Sequence, residues 1–241
     1  MTEAEWLACA DPEAMLAEVR KSASDRKLRL FAAACCRRLW FDVPDLSRRA
    51  VTISEAFVDG QAGLAELRDV EEVAECEWEG AEGHERWLAA AALHVTKGEA
   101  FLSAVWAARC ASAAFADGAW REAVDAAALP VEGTEEWRMP MPLPLSVPWN
   151  ERQAQAALAR DIFLKPEVAI ETHLDWLARD GGIAVGLAQA IYEECALDRL
   201  PILADALEDA GCSDGALLAH LRGPGPHVRA CWALDLVLGK S

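Results

Sequence analysis

The chain has 241 residues, 53% of them hydrophobic and 26% charged, an ordinary globular composition that excludes intrinsic disorder and is long enough to bury a substantial core. No apolar run approaches the ~18 residues of a membrane-spanning helix, and the N-terminus lacks the basic and apolar regions of a secretory signal, so a cytoplasmic protein without membrane contact is expected. The formal net charge of −17 argues against direct nucleic-acid binding, because phosphates repel such a surface unless a local basic patch intervenes.

Helix signals begin at once. Thr2 and Glu5 form a capping-box pattern, and Asp11-Pro12 offers an N-cap followed by proline at the first helical position. Met15, Leu16 and Val19 give that second helix its apolar stripe. Leu28, Phe31, Cys35 and Leu39 step at helical spacing along a third, which starts near Ser24. A fourth is expected from Pro44 to Val58, closed by Gly60. Leu64 to Trp78 is helical but strongly charged, and Gly80 and Gly83 break it before His84 starts another segment. Residues 99–117 are apolar nearly all round, with Arg109 the single charge between Glu99 and Asp117, which predicts a helix in the middle of a bundle.

Prolines at 130, 140, 142, 144 and 148 then forbid helix and predict a Pro-rich linker over 129–149. Helix resumes near Pro148 to Phe163 and returns at Ile183–Glu194, Arg199–Ala210, Asp214–Arg222 and Val228–Leu238. Alternating strand-like runs are absent and alanine is abundant, so the expected class is all-α. The expected architecture is an irregular multi-helix bundle of about ten helices, divided into an N-terminal bundle over 1–128, the linker, and a C-terminal helical region over 150–241.

Nine carboxylates lie between Glu66 and Glu85, whereas basic residues concentrate between Arg20 and Arg49. Self-repulsion in the acidic run requires relief. Either the two segments face each other inside the fold, or the acidic face is left open for a basic partner. The eight cysteines include no CxxC pair and sit mostly within apolar helical patterns, so reduced, buried thiols are expected.

Sequences that carry chemistry are scarce. No GxSxG, HExxH, calcium-loop or dinucleotide motif is present, and Gly223-Pro224-Gly225-Pro226 is too proline-rich to cradle phosphate and reads as a sharp helix-to-helix turn. A Cys/His hydrolase using Cys195 or Cys231 is conceivable only through a spatial meeting. The candidate zinc ligands are Cys212, His220, His227 and Cys231, because zinc accepts two sulfurs with two imidazoles and His227 and Cys231 lie four apart on an expected helix. Cys212 and His220, eight apart, do not match a known finger, and the competing reading is a buried thiol beside a histidine that caps the 214–222 helix. On balance no cofactor is expected.

The segment Leu200-Pro201-Ile202-Leu203-Ala204-Asp205-Ala206-Leu207-Glu208-Asp209-Ala210-Gly211 resembles the repeat-companion motif of planctomycete bacterial proteins, with Ala206 and Cys212 departing from its tryptophan and aspartate. Met1–Trp40, with Glu5-Trp6-Leu7, Ser24-Asp25-Arg26-Lys27-Leu28-Arg29 and Cys35-Cys36-Arg37-Arg38, and Gly223–Lys240, with Gly223-Pro224-Gly225-Pro226-His227-Val228-Arg229-Ala230-Cys231-Trp232, resemble an uncharacterised paralogous family of those bacteria. That resemblance implies origin and architecture rather than an activity. The expected function is a helical adaptor without catalysis, binding another protein within a bacterial regulatory or defence assembly. The alternatives are an acidic charge mimic that inhibits a basic nucleic-acid-binding protein, and, third, an enzyme of unknown type. Residues expected to meet the partner are Glu72 and Glu75 in the acidic run, Trp78 and Trp137 in charged surroundings, and Arg222, His227, Arg229 and Trp232 near the C-terminus.

Overall fold

The computed structural model describes residues 1–127, 149–163 and 182–240, with the backbone alone for 118–127 and Trp149. Among the described residues there are twelve α-helices and no strand, so the all-α expectation holds. No helix among them is long and apolar enough to cross a membrane. The Pro-rich segment lies outside the described residues except at its end, where a helix begins at Trp149.

The early helices start where their caps dictate. In α1 (Glu3–Ala8) the Thr2 hydroxyl accepts the Glu5 amide at 3.2 Å while the Glu5 carboxylate accepts the Thr2 amide at 2.7 Å. In α2 (Pro12–Val19) Asp11 accepts the amides of Glu13 and Ala14, and Pro12 occupies the first position, where an N–H would have had no helical partner. Ser24 caps α3 (Asp25–Arg37), and α4 (Asp45–Val58) ends before Gly60, whose φ of +72° suits glycine.

These helices, together with α6 (Gly83–Thr96), α7 (Ala100–Ala127) and α8 (Trp149–Ile162), enclose the first core, which includes Met15, Leu16, Leu28, Phe31, Leu88, Ala104, Ala108, Leu158 and Ile162. Fully burying a side chain the size of Leu16 or Phe31 contributes about 1.5–3 kcal/mol. The expected central helix is α7, although Leu102 on it is half exposed. α8, grouped with the C-terminal helices on sequence grounds, packs instead into this first core. Its buried Glu151 is gripped by Arg38, whose Nε lies 3.1 Å from both carboxylate oxygens and whose Nη2 lies 2.9 Å from Oε2.

α5 (Leu64–Gly80) has only a narrow apolar stripe, Leu67, Val70 and Ala74, so it lies on the edge of the bundle against α4 and α6 and turns its carboxylates outward. A second core joins α9 (Ile183–Glu194), α10 (Leu200–Asp209), α11 (Gly215–Arg222) and α12 (Trp232–Leu238) through Ile191, Leu200, Leu203, Leu207, Leu217, Leu221 and Leu234. α12 starts at Trp232, four residues later than the sequence pattern suggested, and residues 223–230 form an irregular connection.

Polar side chains join the two cores. Arg26 of α3 reaches Asp59 after α4 (3.2 Å), Asp235 of α12 (2.8 Å) and the Tyr192 hydroxyl of α9 (2.7 Å), and that hydroxyl donates in turn to Asp59. Arg229 adds a 3.1 Å contact to Asp59.

Candidate metal centre

At the end of α8, Asp161 projects toward the second core, and three residues from α11 and the α11–α12 connection meet it. Asp214 caps α11 by accepting the amides of Ala216 and Leu217, each at 2.9 Å. Burial of Leu217, Leu218 and Leu221 fixes the rotation of that helix, and His220 falls on the side facing α8. The chain then turns sharply through Gly223–Pro226. Gly225 has φ +80°, and a β-carbon there would stand 2.7 Å from the His227 backbone nitrogen, so the turn demands glycine and delivers His227 beside His220. The two rings meet edge-on at 5.1 Å, and Trp232 packs against His220 at 4.8 Å. Cys231 stands at the N-cap of α12 with its thiol buried.

Four donor atoms, one each from Asp161, His220, His227 and Cys231, lie within 4.8 Å of one another. Asp161 Oδ1 is 2.8 Å from His227 Nδ1 and 3.1 Å from His220 Nε2, and His220 Nε2 is 3.2 Å from Cys231 Sγ. The second carboxylate oxygen accepts the Val228 amide at 2.8 Å. His227 Nε2 faces the Gly223 carbonyl at 3.2 Å. Burial opposes the charge on Asp161, but the donors His220, His227 and Val228 outweigh it and hold the carboxyl below its usual range. The Asp161 hydrogen bond raises the His227 pKa. Burial drives the Cys231 thiol well above its usual value, against a weaker downward pull from the amides of Ala233 and Leu234.

A catalytic Cys-His-Asp relay needs the imidazole to meet the thiol through one nitrogen and the carboxylate through the other. Here both contacts of His220 fall on Nε2, so His220 lacks the wiring of a relay, and the four donor atoms instead form one close cluster. Beside them opens a cleft of about 480 Å³, walled by Trp6, Leu7, Phe163, Trp232 and the Gly223–Pro226 turn.

No known protein family, curated protein or solved structure matches this chain.

Of the four candidate ligands read from sequence, His220, His227 and Cys231 converge, whereas Cys212 is buried in the second core and stands outside the cluster. Asp161 takes the fourth place. Nothing in its own helix marks it, since it lies 59 residues before His220 and only the approach of the end of α8 to the His220 side chain in the folded chain brings them together.

The residues expected to meet a partner are scattered. Glu72 and Glu75 are exposed on α5. Trp78 is half-buried with the Arg86 guanidinium 5.0 Å from its ring centre. Trp137 lies outside the described residues. Trp232 is only 7% exposed and belongs to the second core, which removes it as a surface anchor. Arg222 bridges Asp205 and Glu208, Arg229 is held by Asp59, and His227 belongs to the cluster.

Among the described residues no ion pair joins the acidic run to residues 20–49, although Glu71 acts on Arg29 through space. The α5 carboxylates that form ion pairs among the described residues, Glu71 (2.9 Å) and Glu75 (3.8 Å), both meet Lys97, and the hydrogen bond from the basic segment to α5 is that of Ser47 with Glu77.

Proposed function

We propose that this chain is a cytoplasmic, non-catalytic helical protein that binds a protein partner through the outer face of α5, and that the partner presents basic residues interspersed with apolar ones. The observation that carries this reading is the commitment of the basic segment elsewhere. Arg26 reaches Asp59 and Asp235, Lys27 the Ile162 carbonyl, Arg29 the carbonyls of Lys97 and Gly98, Arg37 Glu55, and Arg38 Glu151. Glu66, Asp69, Glu72, Glu75 and Glu79 therefore keep an exposed acidic face, with Leu64 and Val73 exposed among them. Such a face steers a basic partner and sets its register, while the apolar side chains add contact area. The resemblance to the planctomycete paralogues supplies the expected setting, a bacterial regulatory or defence assembly.

The test is cross-linking in the source organism with the wild-type chain and with Glu72→Lys/Glu79→Lys, read by mass spectrometry. A basic protein cross-linked to α5 in the wild type and lost from the variant, at a melting temperature no lower than that of the wild type, is the expected result. Cross-links confined to other faces, or retained by the variant, would overturn it. If DNA displaces the partner in a salt-sensitive way, the face acts as a nucleic-acid mimic and the adaptor reading fails.

A further inference from the structure

We propose that Asp161, His220, His227 and Cys231 bind one zinc ion that clasps the end of α8 to the α11–α12 connection. This inference uses residues remote from α5 and stands or falls independently of the docking face.

The hydrogen-bond pattern of the cluster calls for positive charge beside Asp161, and its four donor atoms are grouped closely enough for a metal ion to supply it. The Gly223 carbonyl can only accept, so the proton of the neutral His227 ring sits on Nε2 and the lone pair of Nδ1 points at Asp161 Oδ1, 2.8 Å away. With a neutral ring these two acceptors repel at that distance, and either a second ring proton or a metal ion between them relieves the repulsion. His220 Nε2 approaches the same oxygen and the Cys231 sulfur together, so a single ion at the centre would satisfy all four atoms at once. Zinc bonds of about 2.0–2.3 Å place tetrahedral ligands roughly 3.3–3.8 Å apart. The closest separations here are 2.8, 3.1 and 3.2 Å and the widest lies within 4.8 Å, a spread that small side-chain rotations convert into a tetrahedron.

The surroundings have the form of an outer shell. A ligating histidine commonly donates its other N–H to a backbone carbonyl, as His227 does to Gly223, and a ligating carboxylate is held through its free oxygen, as Asp161 is by Val228. Two imidazoles, one thiolate and one carboxylate suit a borderline ion, whereas calcium and magnesium require oxygen ligands. On binding, the Cys231 thiol proton leaves to solvent and the sulfur bonds the metal. Four protein ligands leave no open position, so the ion is structural: it ties the first core to the second.

The experiment measures zinc in protein purified under reducing conditions and dialysed against metal-free buffer, then replaces zinc with cobalt(II). About one zinc per chain is expected, with tetrahedral d–d bands and a thiolate-to-cobalt charge-transfer band after exchange. Cys231→Ser should remove the charge-transfer band, His227→Gln should abolish retention, and Cys212→Ser should change neither. Chelation should lower the melting temperature of the wild type. A folded, helical wild-type protein that retains neither metal would overturn the site and leave a proton between His227 and Asp161. Loss of the band in Cys212→Ser but not in Cys231→Ser would overturn the ligand assignment. Because the wild-type cobalt spectrum is read first, a variant that fails to fold does not rescue the proposal.

Discussion

Single side chains in this fold carry charge into the interior only with a partner already in place. Glu151 has no exposed side-chain area, and its charge is met by the Arg38 fork with Gln155 Nε2 at 3.1 Å from Oε1. Arg38→Ala would leave that carboxylate buried without its cation, at an expected cost of about 3 kcal/mol in urea unfolding. Adding Glu151→Leu should recover most of the loss, and an Arg38→Ala variant as stable as wild type would show that Glu151 finds another donor. His94 illustrates the opposite sign. Burial, then Lys97, lowers its pKa, and its ring stacks on Trp106 at 5.8 Å. The unfolded chain therefore binds a proton more readily than the folded one below the usual value near ~6.5, so this residue's contribution to stability declines as pH falls through that window. His94→Gln should flatten the decline, and identical slopes for the two proteins would remove His94 as its source.

Among the helices, α5 shows how far a narrow apolar stripe suffices. Leu67, Val70 and Ala74 hold it to α4 and α6, and Lys97 pairs with two of its carboxylates, but its last turn contains no basic residue to meet the negative end of the helix dipole. Glu79→Lys places a cation there and should stabilise the protein by about 0.3–1 kcal/mol at low ionic strength. Glu72, which makes no ion pair or side-chain hydrogen bond among the described residues, should tolerate reversal to lysine with a change within about 0.5 kcal/mol. Melting curves at low salt and in 0.5 M salt would check both, because the Glu79→Lys gain should shrink as salt screens it. A loss above about 1 kcal/mol in either variant would mean that the outer face of α5 is paired after all.

Among the described residues polar groups bridge the two cores, while Val228 and Ala230 of the α11–α12 connection pack into the first. Tyr192 stands at the centre of one junction, accepting from Arg26 and donating to Asp59, and burial pushes its phenol up to about 12, so it keeps the proton it donates. Tyr192→Phe deprives a buried carboxylate of a donor and should cost about 1–3 kcal/mol, with faster amide exchange in α9–α12 than in α3. Equal exchange in both cores would show that they open together. The Asp161 cluster forms the other junction, so, if it holds the proposed zinc, chelation should be more damaging to Tyr192→Phe than to the wild type.

The capped helices were legible because their signals are local: Thr2 with Glu5, Asp11 with Pro12, and Ser24 before a stripe of Leu28, Phe31 and Cys35 act within a few residues of themselves. The same holds for His220, His227 and Cys231, which one turn and one helix bring within reach of each other. Asp161 was not legible, because an acidic residue at a helix end looks like any solvated one until the fold brings the end of α8 to His220 and His227. The acidic run was visible as a charge pattern, but its openness depended on where Arg26, Arg37 and Arg38 found partners, at Asp59 and Asp235, Glu55 and Glu151. Local hydrogen bonding and hydrophobic periodicity thus determined the helices and most of the candidate ligand set, whereas long-range packing decided its fourth member and the exposed face, since each depends on contacts between residues far apart in the chain.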